Sequence, residues 1–311
     1  MTTRFQFGGI VRRIAVLAGL LTALLPAVAG AVGGVGDLFI TSDAANVVRA
    51  YDGVTGTFIG PFASSVLGAG ELGIHFGATN NRVLVGSFGG GVDEYDASSG
   101  AYIKTYATGG GWQWAGLYGP LGTVLIGSQV TNDVRQYDQV TGAFINVLCS
   151  FFGPADMEIG PNGHLYVCGY QNGNVGEFDA ITGAPISTWN LPAGSEANDI
   201  AFIPGNGIFV TASRTNFCYR FNGAHIMTGL FQGTGWQRPH GIAISPHTGN
   251  ILVADGVTTQ VHEFDPVTFA ELNPAFRNPP TGDKIVDIAF RPDAPTPARG
   301  TTWGRIKSDY R

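Results

Sequence analysis

Six oxygen-bearing side chains, Glu71, Asp156, Glu158, Asn198, Asp199 and Asp287, fall at equivalent points of a repeating stretch of this sequence. Each lies near the start of a short apolar run such as "NDIAF" (Asn198–Phe202) or "VDIAF" (Val286–Phe290). Carboxylates from several units, joined by one amide, form a donor set that suits Ca²⁺, a hard cation that takes oxygen ligands. The same residues have a plainer use, because an Asp directly before a strand can accept N–H groups of the neighbouring turn. His240 follows Arg238 by two residues, and an imidazole with an ordinary pKa of about 6.5 suits proton transfer. It is the candidate catalytic residue. His75 reads as a strand residue, and His164 and His247 as turn residues. Trp112 and Trp114 sit in "GGGWQWAGLYG" (Gly109–Gly119). On an extended strand they point the same way and form a stacking platform for a sugar or an aromatic ligand. The alternative is that one of them plugs a channel. With Arg238 and His240 they make up the candidate ligand-binding set. Cys149, Cys168 and Cys218 show no CxxC and no His/Cys cluster, so zinc is not indicated. Export would permit one disulfide among them, with no pair singled out by spacing; the other reading is three buried free thiols.

These residues must be positioned by a repeat. "RQYDQVTGAFI" (Arg135–Ile145) returns as "RAYDGVTGTFI" from Arg49, "DEYDASSGAYI" from Asp93 and "GEFDAITGAPI" from Gly176. The aromatic–polar pair at its centre occurs six times, at Tyr51, Tyr95, Tyr137, Phe178, Phe221 and Phe264, with spacings of 41–44 residues. A period near 40–45 with several strands per unit marks a propeller. In the unit at Arg238, "GIAIS", "ILVAD", "VHEFD" and "AEL" are the four strands. Asp-x-x-Thr-Gly is the hairpin between the third and fourth. Its Asp accepts nearby N–H groups and its Gly takes the positive φ. "DLFITS" (Asp37–Ser42) lacks a preceding inner strand, and "KIVDIAFRP" (Lys284–Pro292) supplies it. The expected fold is an all-β, six-bladed β-propeller of four-stranded antiparallel blades over 35–292, with N- and C-terminal strands sharing one blade.

"RPHGIAISPHTGNILVADGVTTQVHEFD" (Arg238–Asp265) resembles the NHL-repeat family of six-bladed propellers, and "DMEIGPNGHLYVCGYQNGNVGEFD" (Asp156–Asp179) does so less closely. The resemblance implies fold rather than activity, since related propellers include streptogramin lyases, gluconolactonase-type enzymes and binding modules. In gluconolactonase-like enzymes a Glu, an Asn and an Asp hold the metal. The positions that match here are Glu71, Asn198, Asp199 and Asp287, with Ca as the implied cofactor. The lyases likewise place a histidine at the mouth, which is the position of His240.

The chain has 311 residues, 47 of them glycine, with 13% charged residues and a net charge of −6. That balance, with no basic stripe, excludes nucleic acid as a partner. Arg4, Arg12 and Arg13 precede the apolar "IAVLAGLLTALL" (Ile14–Leu25) and the small-residue "AVAG" (Ala27–Gly30). This is the pattern of a signal peptide over 1–30. The apolar run is short of the roughly 20 residues that span a bilayer. Residues 293–311 read as a Pro-containing linker and a basic, aromatic tail. Together these features describe a secreted, periplasmic or cell-surface monomer. It would be a binding or interaction module taking a small molecule, glycan or protein at the axial mouth. The alternative is a metal-dependent lactonase or lyase using the same mouth.

Overall fold

The computed structural model describes residues 32–293 apart from 45, 65, 67–69, 108–111, 115, 204 and 278–283; the side chains of Glu71 and Ala107 are also outside the description. The signal reading at 1–30 and nearly all of the tail lie outside the described residues. Among these residues the chain forms six four-stranded antiparallel sheets. Their inner strands are Glu71–Phe76, Gly116–Gly119, Pro154–Ile159, Ala197–Ile203, Pro239–Ile244 and Ile285–Phe290. Neighbouring inner strands touch in cyclic order, which closes the sheets into a ring. The fold is a six-bladed β-propeller.

Blade one holds the closure. Leu38–Ser42 pairs on one side with Val47–Tyr51 and on the other with Ile285–Phe290, so the two ends of the chain share one sheet. Closure leaves only short edges, protected around the axis. The cores lie between facing blades. Phe39 of blade one meets Phe62 and Phe76 edge-on at centroid distances of 4.8 and 4.9 Å. The inner strand of blade three is the shortest, with four residues, and its contacts with neighbouring inner strands are the thinnest.

The hairpin chemistry is as the repeat suggests. Asp138 accepts from the N–H groups of Val140 at 3.1 Å and Thr141 at 2.7 Å and from the Thr141 hydroxyl, and Gly142 turns the chain at φ 73°. Asp52, Asp96, Asp179 and Asp265 do the same. Blades five and six keep the left-handed position without glycine, placing His225 and Phe269 there, each at φ 59°. Packing offsets that conformational cost. His225 lies flat on Trp189 at 3.9 Å, and Phe269 is parallel to Phe231 at 5.6 Å.

Candidate functional site

Side chains two apart on a strand share a face. The register makes Gly73, Asp156, Asp199, Gly241 and Asp287 equivalent, each one residue before the partner of Val85, Val167, Val210, Val253 or Ile40. Two residues on come His75, Glu158, Ala201, Ala243 and Ala289. The axis is thus lined in two layers. The deep layer holds three aspartates and two glycines. The shallower one sets His75 and Glu158 against three alanines from blades five, six and one, with Leu117 at the blade-three position and the Tyr118 ring 6.2 Å from His75. Small side chains leave room, and a funnel of about 1500 Å³ opens where each inner strand passes into the second. Across it, His75 Nε2 lies 3.7 Å from a Glu158 carboxylate oxygen.

The three aspartates form the floor. Asp199 accepts from the N–H of Ile200 at 2.5 Å and, in the next blade, from Ile242 at 2.6 Å. Asp287 repeats this with Ile288 at 2.7 Å and Ile74 at 2.8 Å. A threonine completes each staple: Thr211 donates to the His240 carbonyl, and Thr41 to the Leu72 carbonyl at 2.5 Å. The staples therefore bind blade five to six and blade one to two. Gly241 is required between them, because a Cβ there would lie 2.7 Å from Asp287 Oδ1 and 2.8 Å from the Ile288 nitrogen. Asp156 and Asp287 both lie close enough to Asp199 to influence its carboxyl.

Burial dominates the electrostatics. It pushes the Asp156 carboxyl up to about 8, assisted by the charges of Asp287 and Glu158 and opposed by hydrogen bonding with Asp199. Burial likewise holds Asp199 and Asp287 well above the carboxylate range, with neighbouring carboxylates adding to it. Burial thus favours the protonated form of all three carboxyls.

Beyond the floor the axis is filled differently. Trp112 is 49% exposed and Trp114 only 8%. They do not form a pair on a strand. Gln113 makes a single bridge to Ser87, and the inner strand begins at Gly116. Trp114 packs on Tyr170 at 4.8 Å and on His240 at 6.2 Å, while Trp112 meets Phe88 edge-on. Arg238 donates to the Tyr170 hydroxyl at 3.1 Å. His240 is 9% exposed, and burial with the nearby Arg238 charge pushes its pKa down to about 4, so it is neutral at pH 7. A void of about 20 Å³, lined by Trp114, Asn198, His240 and the three aspartates, separates this cluster from the funnel.

The structure thus brings Asn198, Asp199, Asp287, Trp114 and His240 together, and leaves Trp112 and Arg238 at the exposed rim. The Glu71 side chain lies outside the described residues. Among those described, no three Asp, Glu, His or Cys side chains converge as a metal requires. The wide opening lies at the opposite end from the one expected from the sequence. His75 and Tyr118, given no role there, face it. The usable signal is the two-residue step from Gly73 to His75. Cys149, Cys168 and Cys218 are buried and free.

Because Trp114 is buried, its removal carries a cavity cost. Trp114→Ala is expected to lower stability by about 3–5 kcal/mol, and Trp112→Ala by under about 0.5 kcal/mol. Urea unfolding of the two variants measures this, and equal midpoints would show that Trp114 does not brace the axis.

No protein family and no curated protein matches the sequence. Solved structures match the fold. The crystal structure of a nidogen/laminin complex contains a chain similar to this one at a TM-score of 0.69 and 14% identity, over 83% of this chain and 99% of that one. A protein of unknown function from Bacteroides caccae aligns at 0.62 and 13%, over 81% and 97%. Likeness at such identity establishes the six-bladed fold alone. No helix among the described residues is long and apolar enough to cross a membrane.

Proposed function

We propose that this chain is an exported binding propeller that takes a ligand, or a protruding segment of a protein partner, into the funnel. The funnel itself carries the reading. Its volume of about 1500 Å³ exceeds the roughly 300–1,000 Å³ of ordinary small-molecule pockets. Its two layers offer a polar wall, an alanine wall and an acidic floor, which is a recognition surface with distinct sides. His240, neutral and packed beneath Trp114 on the far side of the floor, is poorly placed for proton transfer to anything in the funnel. The similar chain comes from a nidogen/laminin complex, and a protein segment is one class of occupant this funnel admits.

The test is a crystallographic soak of the full chain with a library of small amines, acids, sugars and aromatic fragments. Bound fragments are expected to gather against His75, Tyr118 and Glu158. Fragments found only beside Trp112, or calcium-dependent turnover of a lactone, would overturn the reading.

A further inference from the structure

We infer that the void between the aspartate floor and the Trp114 ring is a binding site for one water molecule, which accepts from the Trp114 indole N–H and donates to Asn198 Oδ1 and His240 Nδ1. The site lies on the far side of the floor from the funnel, so it is independent of what the funnel takes.

Three buried polar atoms point to it. Trp114, Asn198 and His240 are 8%, 3% and 9% exposed, and all three line the void. Each keeps one polar atom without a protein partner: Nε1 of Trp114, Oδ1 of Asn198 and Nδ1 of His240. A buried polar atom left bare loses its hydration and gains nothing in return, and here three such atoms share one space. Their neighbours orient them. Asn198 directs its amide nitrogen to the carbonyls of Glu196 at 3.1 Å and Pro239 at 3.3 Å, which leaves its oxygen as the free end of the amide. The Cδ2–Nε2 edge of the His240 ring faces Gly256, where an added Cβ would meet it at 3.3–3.4 Å, so Nδ1 lies on the other edge. The ring is neutral at pH 7, and a neutral imidazole has one N–H and one lone pair. Hydrogen on Nε2 leaves the lone pair of Nδ1 for the void.

Size and polarity together select the occupant. The volume of about 20 Å³ exceeds the roughly 10–15 Å³ that one water needs and leaves no room for a second. A metal cation requires oxygen or nitrogen lone pairs around it, and the indole presents a hydrogen instead. An ammonium has no lone pair to receive that hydrogen. A halide would receive it but would face the lone pairs of Asn198 and His240. Water donates twice and accepts twice, which matches one N–H and two lone pairs. Its remaining acceptor position suits the floor, where burial favours the protonated form of Asp156, another residue lining the void. The water thereby joins Trp114 to blades five and six and completes the plug beneath the funnel.

A crystal structure of the full chain at near-atomic resolution tests the site. One density peak is expected in the void, within about 2.7–3.2 Å of Trp114 Nε1, Asn198 Oδ1 and His240 Nδ1. In solution at pH 7, nitrogen-15 NMR should find the His240 proton on Nε2. The Trp114 indole proton should show a negative NOE to water, the sign of a long-lived bound molecule, which the exposed Trp112 should lack. A void without density, a peak that touches only one of the three atoms, or a His240 proton on Nδ1 would overturn the inference. An anomalous peak in the void after a bromide or rubidium soak would also overturn it, because the occupant would then be an ion.

Discussion

A chain ending at Arg277 is expected to lose cooperative unfolding altogether, whereas one ending at Asp293 should melt within about 2 °C of the full protein. The first removes the inner strand of blade one, and with it the buried side chains of Ile285, Val286 and Ile288. Burial of each contributes about 1.5–3 kcal/mol, so together they rival the roughly 5–15 kcal/mol total stability of a typical domain. Asp287 goes too, freeing the N–H of Ile74 in blade two, and the edge of Leu38–Ser42 loses its partner. Calorimetric melts of both chains decide the matter. A sharp, unshifted transition for the shorter chain would show that the shared blade does not close the ring.

Asp156→Asn is expected to stabilise the protein at pH 8.5 and to leave it unchanged or slightly weaker at pH 4.5. Asp156 has an ordinary value of 3.8 and is pushed up to about 8 in the fold. The folded chain therefore holds this proton more tightly than the unfolded chain does. Stability from this group is complete at low pH, and it declines as pH rises from about 4 towards 8. Asp199 and Asp287, raised in the same direction, add to the decline. Glu158 and Asp287 face Asp156 with like charge. Asparagine keeps the shape of the protonated form without the charge. Each pKa unit corresponds to about 1.4 kcal/mol. Asp156 is only half-buried at the funnel floor, so solvent screening discounts the gain at high pH to about 2 kcal/mol, or roughly 4–8 °C in Tm. Melts across pH 4.5–8.5 measure it. The same offset at both ends of that range would mean that Asp156 does not titrate as its surroundings dictate.

The ring was legible in the sequence because turn chemistry is local. Asp138, Thr141 and Gly142 make a hairpin whatever surrounds them, and their recurrence counts the blades. The shared blade was legible for a related reason, since "VDIAF" repeats "NDIAF". Which end of the axis stays open was not legible. That depends on Ala201, Ala243 and Ala289 lying two residues above the aspartate layer, and an alanine acquires meaning only once the register puts it on the axis. Trp114 and Trp112 look alike in sequence, yet the short inner strand of blade three starts after both, so the chain is free to bury one and expose the other. The aspartates carried both readings, ligand set and turn acceptor. The backbone bonds of Asp199 and Asp287 show the second in operation, and leave Asp156 with the freest carboxyl.

The Thr–Asp staples hold blade five to six and blade one to two, while blade three contributes only the four residues Gly116–Gly119 to the inner ring. The two sides of the funnel therefore differ in stiffness. The alanine wall, drawn from blades five, six and one, behaves as a fixed jaw. Tyr118, carried by blade three, sits on the compliant jaw. Its hydroxyl is nevertheless tied to Glu94 of blade two at 3.0 Å, so an occupant too wide for the resting aperture must break that bond to widen it, while the stapled floor keeps its spacing.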